Sequence, residues 1–165
     1  MAKAHANAKL SHDMVTRLGA RPLSVERWAQ DDSTVEIIRV TEQLAVMASR
    51  GPGHPAAVPF YAEFAPLTVV NAGSIVFWDL GSLTSTELSV VRTCLGIGKA
   101  NLHNIAAVHM FYDSPLIGMA ITVANVALDG LLSLYRDPEP FVEAFLETAR
   151  DTGLAREPAP EPVAP

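Results

Sequence analysis

Positive charge is missing from a long stretch of this chain. Between Lys99 and Arg136 there is no lysine or arginine, and the only formal charges are Asp113 and Asp129. Ser114 to Leu128 is uncharged throughout, and a second charge-poor stretch from Gly51 to Trp78 is broken only by Glu63. Charged residues make up 18% of the 165 residues against 49% hydrophobic, at the apolar edge of the globular range. So much uncharged chain has to be covered by the fold, by another subunit or by an apolar ligand. The net charge of −6 and the scattered lysines and arginines exclude a nucleic-acid partner, which needs clustered cations to neutralise phosphates. Leu83-Thr84-Ser85-Thr86-Glu87 looks superficially like the start of a helix-turn-helix. The chain that would follow as the reading helix, around Asn104-Ile105-Ala106, carries no cations for DNA.

Cysteine is nearly absent as well. Cys94 alone rules out an internal disulfide and a Cys-based zinc site, and its apolar neighbours suit a small buried hydrophobe. Met1 to Asp13 has no apolar run of the kind a secretory signal needs. The Ser114–Leu128 run falls short of the roughly 20 residues that span a bilayer. Both observations predict a cytoplasmic protein without a membrane span. No His-x3-His, Glu-x-x-His, Walker or dinucleotide spacing occurs, and there is no serine nucleophile elbow. No metal site is therefore expected and no cofactor is assigned.

The patterns that are present predict a mainly α fold, a bundle of about five helices with a short β-hairpin near 67–78. Ser33-Thr34-Val35-Glu36 has capping-box spacing, and Ile37, Val40, Leu44, Met47 and Ala48 recur at helical intervals until Arg50-Gly51-Pro52-Gly53. Leu67–Val70 and Ser74–Trp78 flank Asn71-Ala72-Gly73, which suits a hairpin loop. Further helices are expected from Thr84 to about Ile97, from Ala100 to Tyr112, from Ser114-Pro115 to about Tyr135, and from Asp137-Pro138 to Gly153. The helix opened by Pro115 is apolar all round, so it is expected at the centre, with Gly118, Ala120, Ala124 and Ala127 admitting a neighbouring backbone. Residues 1–32 read as a weakly structured N-terminal segment and 33–154 as a single globular domain. The Pro/Ala/Glu-rich residues 155–165 read as a disordered tail.

Candidate chemistry is sparse. His109 and Asp113 are four apart, so on a helix they would meet, and a carboxylate beside an imidazole makes a general base. They are the candidate catalytic pair. Arg50 and His54, on either side of a Gly-Pro-Gly turn, are candidate ligand-binding residues, together with His103 and Tyr112. His5 and His12 lie in the N-terminal segment and carry no expectation. Asp79 and Glu63 sit in apolar surroundings and are expected at the rim. These features favour an oligomeric binding or assembly protein with a charge-poor helical core, a homo-oligomer with room for a small apolar ligand. A small cofactor-independent isomerase, lyase or hydrolase using the His109/Asp113 pair is the alternative. An accessory subunit of a larger complex is the second.

Overall fold

The structure, a computed structural model, describes residues 10–153. It replaces the expected helical bundle with a mixed α/β architecture built on a seven-stranded sheet. Helix α1 (Leu10–Arg17) precedes strands β1 (Ser24–Gln30), β2 (Ser33–Arg39) and β3 (Leu44–Pro52). Helix α2 (Val58–Phe64) leads to β4 (Ser74–Leu80) and the short β5 (Leu83–Ser85). Then α3 (Leu88–Ala100), β6 (Ile105–Tyr112), α4 (Pro115–Ala127), β7 (Leu132–Tyr135) and α5 (Pro138–Asp151) follow. The order across the sheet is β1-β2-β3-β4-β6-β7, with β5 beside the end of β3. The first three strands are antiparallel, whereas β3, β4, β6 and β7 run parallel. Parallel neighbours need crossover connections, and α2, α3 and α4 supply them.

The helix expected from Ser33 is instead the β2–β3 hairpin. Val35 and Ile37 face one side of the sheet, Ile38, Leu44 and Val46 the other. A sheet covered on both faces turns its strands into nearly continuous apolar runs, and such runs satisfy helical spacing by accident. The turn between them is held by Thr41, whose Oγ1 accepts the Leu44 N–H at 2.9 Å. The hairpin near 67–78 is also corrected. Its second half is β4, but Ala65–Thr68 is a 3-10 turn, and β4 pairs with β3 and β6. Residues 105–112, expected in a helix, form β6.

The helix opened by Ser114-Pro115 is present but ends at Ala127, where Asp129 (φ 54°) and Gly130 (φ 74°) turn the chain through left-handed conformations. The N-terminal segment contributes α1 and the edge strand β1, while the tail 155–165 lies outside the described residues. Helix α5 has the amphipathic form its sequence predicts, with Phe141, Phe145 and Ala149 buried.

The sheet is covered on both sides. Helices α1 and α5 pack on one face, where Phe77, Phe111, Phe141 and Phe145 are at most 2% exposed. On the opposite face α2, α3 and α4 cover Val35, Met47, Val76, Val108 and Met110. No helix among the described residues is long and apolar enough to cross a membrane.

Candidate functional site

Of the residues expected to carry chemistry, only Arg50 and His54 come to one cavity. His109 lies on β6, its ring stacked on Phe77 at 4.3 Å and its Nδ1 2.8 Å from the Tyr135 hydroxyl, and burial pushes the imidazole pKa down. Asp113 follows the end of the same strand and is exposed. Four residues of strand advance the chain about 13 Å, and alternate residues share a face, so the helical contact expected between them is not made. Tyr112 lies at the C-terminal end of β6 with the Arg136 guanidinium 5.4 Å from its ring centre, and Gly118 leaves room for that ring. His103 is exposed in the turn entering β6, at the opposite end of the strand.

Arg50 and His54 are held by different partners, although both line one cavity on the α3/α4 side of the sheet. The Arg50 Nη2 donates to Ser11 Oγ on α1 at 3.2 Å, whereas His54 Nδ1 accepts the Ala56 N–H at 3.0 Å and caps the 3-10 turn Pro55–Ala57. Its ring centre is 6.1 Å from that of Trp28. Gly51 adopts φ 74°, and a Cβ there would fall 2.0 Å from the Asp32 carbonyl oxygen. The glycines and His54 of this stretch thus serve a tight crossing followed by a capped turn, whereas the Arg50 Nε is buried with no hydrogen-bond partner among the described residues.

Glu63 is exposed, but Asp79 is not at the rim. It is 2% exposed, its Oδ1 accepts the Gly81 N–H at 3.0 Å, and its Oδ2 has no partner among the described residues. Burial raises its carboxyl pKa to about 6, partly offset by the Gly81 hydrogen bond and by the positive charge of Arg50. Burial likewise pushes the Cys94 thiol up to about 12, which removes its nucleophilic character at neutral pH.

Two apolar features converge on the α3/α4 side. The first is a cavity of about 120 Å³ between the sheet and these helices, walled by Trp28, Val35, Trp78, Val90, Ile117 and Ile121. Three polar groups at its wall bond to one another: the Tyr61 and Ser49 hydroxyls are 2.7 Å apart, and Trp78 Nε1 donates to Ser49 Oγ at 2.9 Å. Arg50 and His54 line it too, and the Arg50 Nε is buried with no hydrogen-bond partner among the described residues. The second is the outer side of α4. Leu116, Met119, Val123 and Val126 are 59%, 64%, 72% and 79% exposed. Their spacing of three, four and three residues places them on one stripe, the seam geometry of paired helices. Helix α4 is therefore a surface element, not the expected central one, and only Ile117, Gly118 and Ile121 on it are buried. These stripe residues were missed because they stand in a run that is apolar on every side. Their spacing was present, but nothing in it tells inward from outward.

No protein-family model matches the chain, and no curated protein matches its sequence. Among solved structures, the phosphorylated form of the Bacillus cell-fate determinant SpoIIAA matches with a TM-score of 0.50 at 14% identity, covering 67% of this chain and 98% of that one. The fold is SpoIIAA-like. An anti-sigma factor antagonist from Mycobacterium paratuberculosis has a TM-score of 0.48 at 12% identity, over 77% of this chain and 98% of its own. An uncharacterized protein with a SpoIIAA-like fold from Shewanella loihica has 0.47 at 14%, over 74% and 92%. A SpoIIAA-like sheet leaves no helical core to assemble around. It therefore overturns the reading of a helical homo-oligomer with an apolar small-molecule ligand. The acid–base enzyme falls with the same fold, because its His109/Asp113 pair existed only on a helix.

Proposed function

We propose that this chain is a regulatory protein-binding module, cytoplasmic, whose α4 stripe docks an amphipathic helix of a different protein. The stripe carries the reading: four large apolar side chains, each more than half exposed, on a helix without a single charged residue. Scattered exposed hydrophobes are ordinary, but a contiguous row at seam spacing is a mark of interaction surfaces. A partner's contacting face must be equally free of charge, since an unpaired charge buried against the stripe would be costly.

Electrostatics add a direction. Exposed aspartates, Asp113 and Asp129, bracket the stripe, and the chain carries a net charge of −6. Cations on this side of the molecule are Arg92 and Lys99 on α3 and Arg136 over Tyr112. Basic residues flanking the partner's helix complement this surface and speed its encounter. The fold supports a regulatory role by likeness, since the Bacillus protein is a cell-fate determinant seen in a phosphorylated form. Exposed hydroxyls of Thr84, Ser85 and Ser89 lie around the start of α3, where a phosphate would meet free helix N–H groups.

The test is retention of a partner that depends on the stripe. Tagged protein recovered from its native cells should hold a defined second protein, lost on Val123→Glu and kept on Glu147→Lys, which alters α5. Retention unaffected by Val123→Glu contradicts the proposal.

A further inference from the structure

The docking stripe and the cavity belong to one helix and are separated only by small residues. On α4, Ala120 and Ala124 line the cavity and lie between the buried Ile117 and Ile121 and the exposed Met119 and Val123. Facing them across the opening are half-buried Thr86, Val91 and Leu95 from the α3 side. The space is a half-open cleft of about 120 Å³ between the sheet and the two helices. A dry cavity of about 150 Å³ accepts benzene, so this one has room for a single phenyl or leucyl side chain. Most of its wall is apolar, and Ser49, Tyr61 and Trp78 bond to one another there, while Arg50, His54 and Thr86 add polar side chains to the lining.

We propose that the cavity is a socket: the helix docked on the α4 stripe drives one large apolar side chain, a phenylalanine or a leucine, between α3 and α4 into this space. The inference rests on the docking reading above and names the partner more narrowly. It is an amphipathic helix with a seam of apolar residues, lysine or arginine at its flanks, and one bulky knob set to the Ala120/Ala124 side of the seam. Interface energy concentrates in such fully desolvated anchors, while the surrounding contacts exclude water. The stripe sets register and the socket supplies the anchor. The empty space weakens the free protein locally, and filling it on binding recovers the lost packing contacts.

Both tryptophans of the chain, Trp28 and Trp78, line this cavity, so intrinsic fluorescence reports its occupancy without a label. The probes are two tryptophan-free synthetic helical peptides of about five turns. They share lysine flanks and a leucine seam, and carry Phe or Ala at the knob position. Binding is read by anisotropy of a dye on the peptide, and occupancy by tryptophan emission of the intact protein. The Phe peptide should bind roughly tenfold or more tightly than the Ala peptide, the effect of burying one aromatic side chain, and it alone should shift the emission. Ala124→Leu, which fills the space, should abolish the difference between the peptides. The peptide exchange leaves the protein untouched, so the test survives if that variant misfolds. Equal, saturable binding of both peptides with unmoved emission overturns the socket and leaves the docking surface standing. Absence of saturable binding by either peptide overturns both.

Discussion

The two faces of the sheet are built to different standards. Under α1 and α5, Phe77 meets Phe141 and Phe145 edge-on at 5.6 and 5.3 Å and stacks on His109 at 4.3 Å, leaving almost nothing exposed. Under α2, α3 and α4 the residues are as apolar, yet cavities of about 120 and 70 Å³ remain. Helix α4 turns four large hydrophobes to solvent on that side. Aromatic pairs in such geometry add to the stabilisation from burial, whereas a void forfeits it. The difference teaches a division of labour: one face holds the fold together, and the other keeps apolar surface and space in reserve for a partner.

The comparison breaks first where packing is densest. Phe145→Ala should destabilise the protein by about 3–5 kcal/mol, read as a lowered denaturant midpoint. A loss under about 1 kcal/mol would deny that the α5 face is the stabilising one.

Asp79 comes next. Its folded-state pKa of about 6 lies above the unfolded value of 3.8, so the folded state holds a proton that the unfolded chain has released. The contribution of Asp79 to stability is then most favourable below about pH 4 and is lost as pH rises through 6. At about 1.4 kcal/mol per pH unit the full loss is about 2–3 kcal/mol. Asp79→Asn keeps an acceptor for the Gly81 N–H and does not titrate. Its stability relative to the wild type should therefore climb by that amount between pH 4 and pH 8, followed by urea unfolding. Parallel pH profiles would contradict the buried, largely unpaired carboxyl.

Ala124→Leu should act on the loose face with the opposite sign to Phe145→Ala. Filling the cavity should raise stability by about 0.5–1 kcal/mol, visible as a thermal shift of a few degrees. Destabilisation would mean that the space is not available to a side chain. Smallest of all, Val123→Glu should change stability by no more than about 0.5 kcal/mol, since the position is exposed. Its effect belongs to binding alone.

The same contrast explains what could be read in the chain. Helix α5 was legible because one side of it is apolar and the other carries Glu139, Glu143, Glu147 and Arg150, and because Pro138 sets its start. The Ser-Pro start of α4 was legible for the same local reason, and Cys94 is half-buried in apolar surroundings. Strands β2, β3 and β6 were not. Ile37 and Val40 or Val108 and Phe111 serve opposite faces of a doubly covered sheet, so their spacing carries no strand signature. The one local signal against a helix through residues 33–48 was Thr41-Glu42-Gln43, a turn whose threonine bonds its own backbone. Misreading β6 as helix also created the His109–Asp113 pair. The stripe and the cavity depend on which side of α4 meets the sheet, and a helix apolar on every side leaves that choice to the tertiary fold.

Photo-crosslinking from two positions tests the division of labour most directly. A benzophenone amino acid at Val123 on α4, and another at Glu147 on α5, can be activated in cells that express the full chain. We expect one defined adduct with a different protein from Val123, abolished by Met119→Glu, and none from Glu147. A partner captured from Glu147 and not from Val123, or adducts at Val123 that contain only a second copy of this chain, would contradict the account.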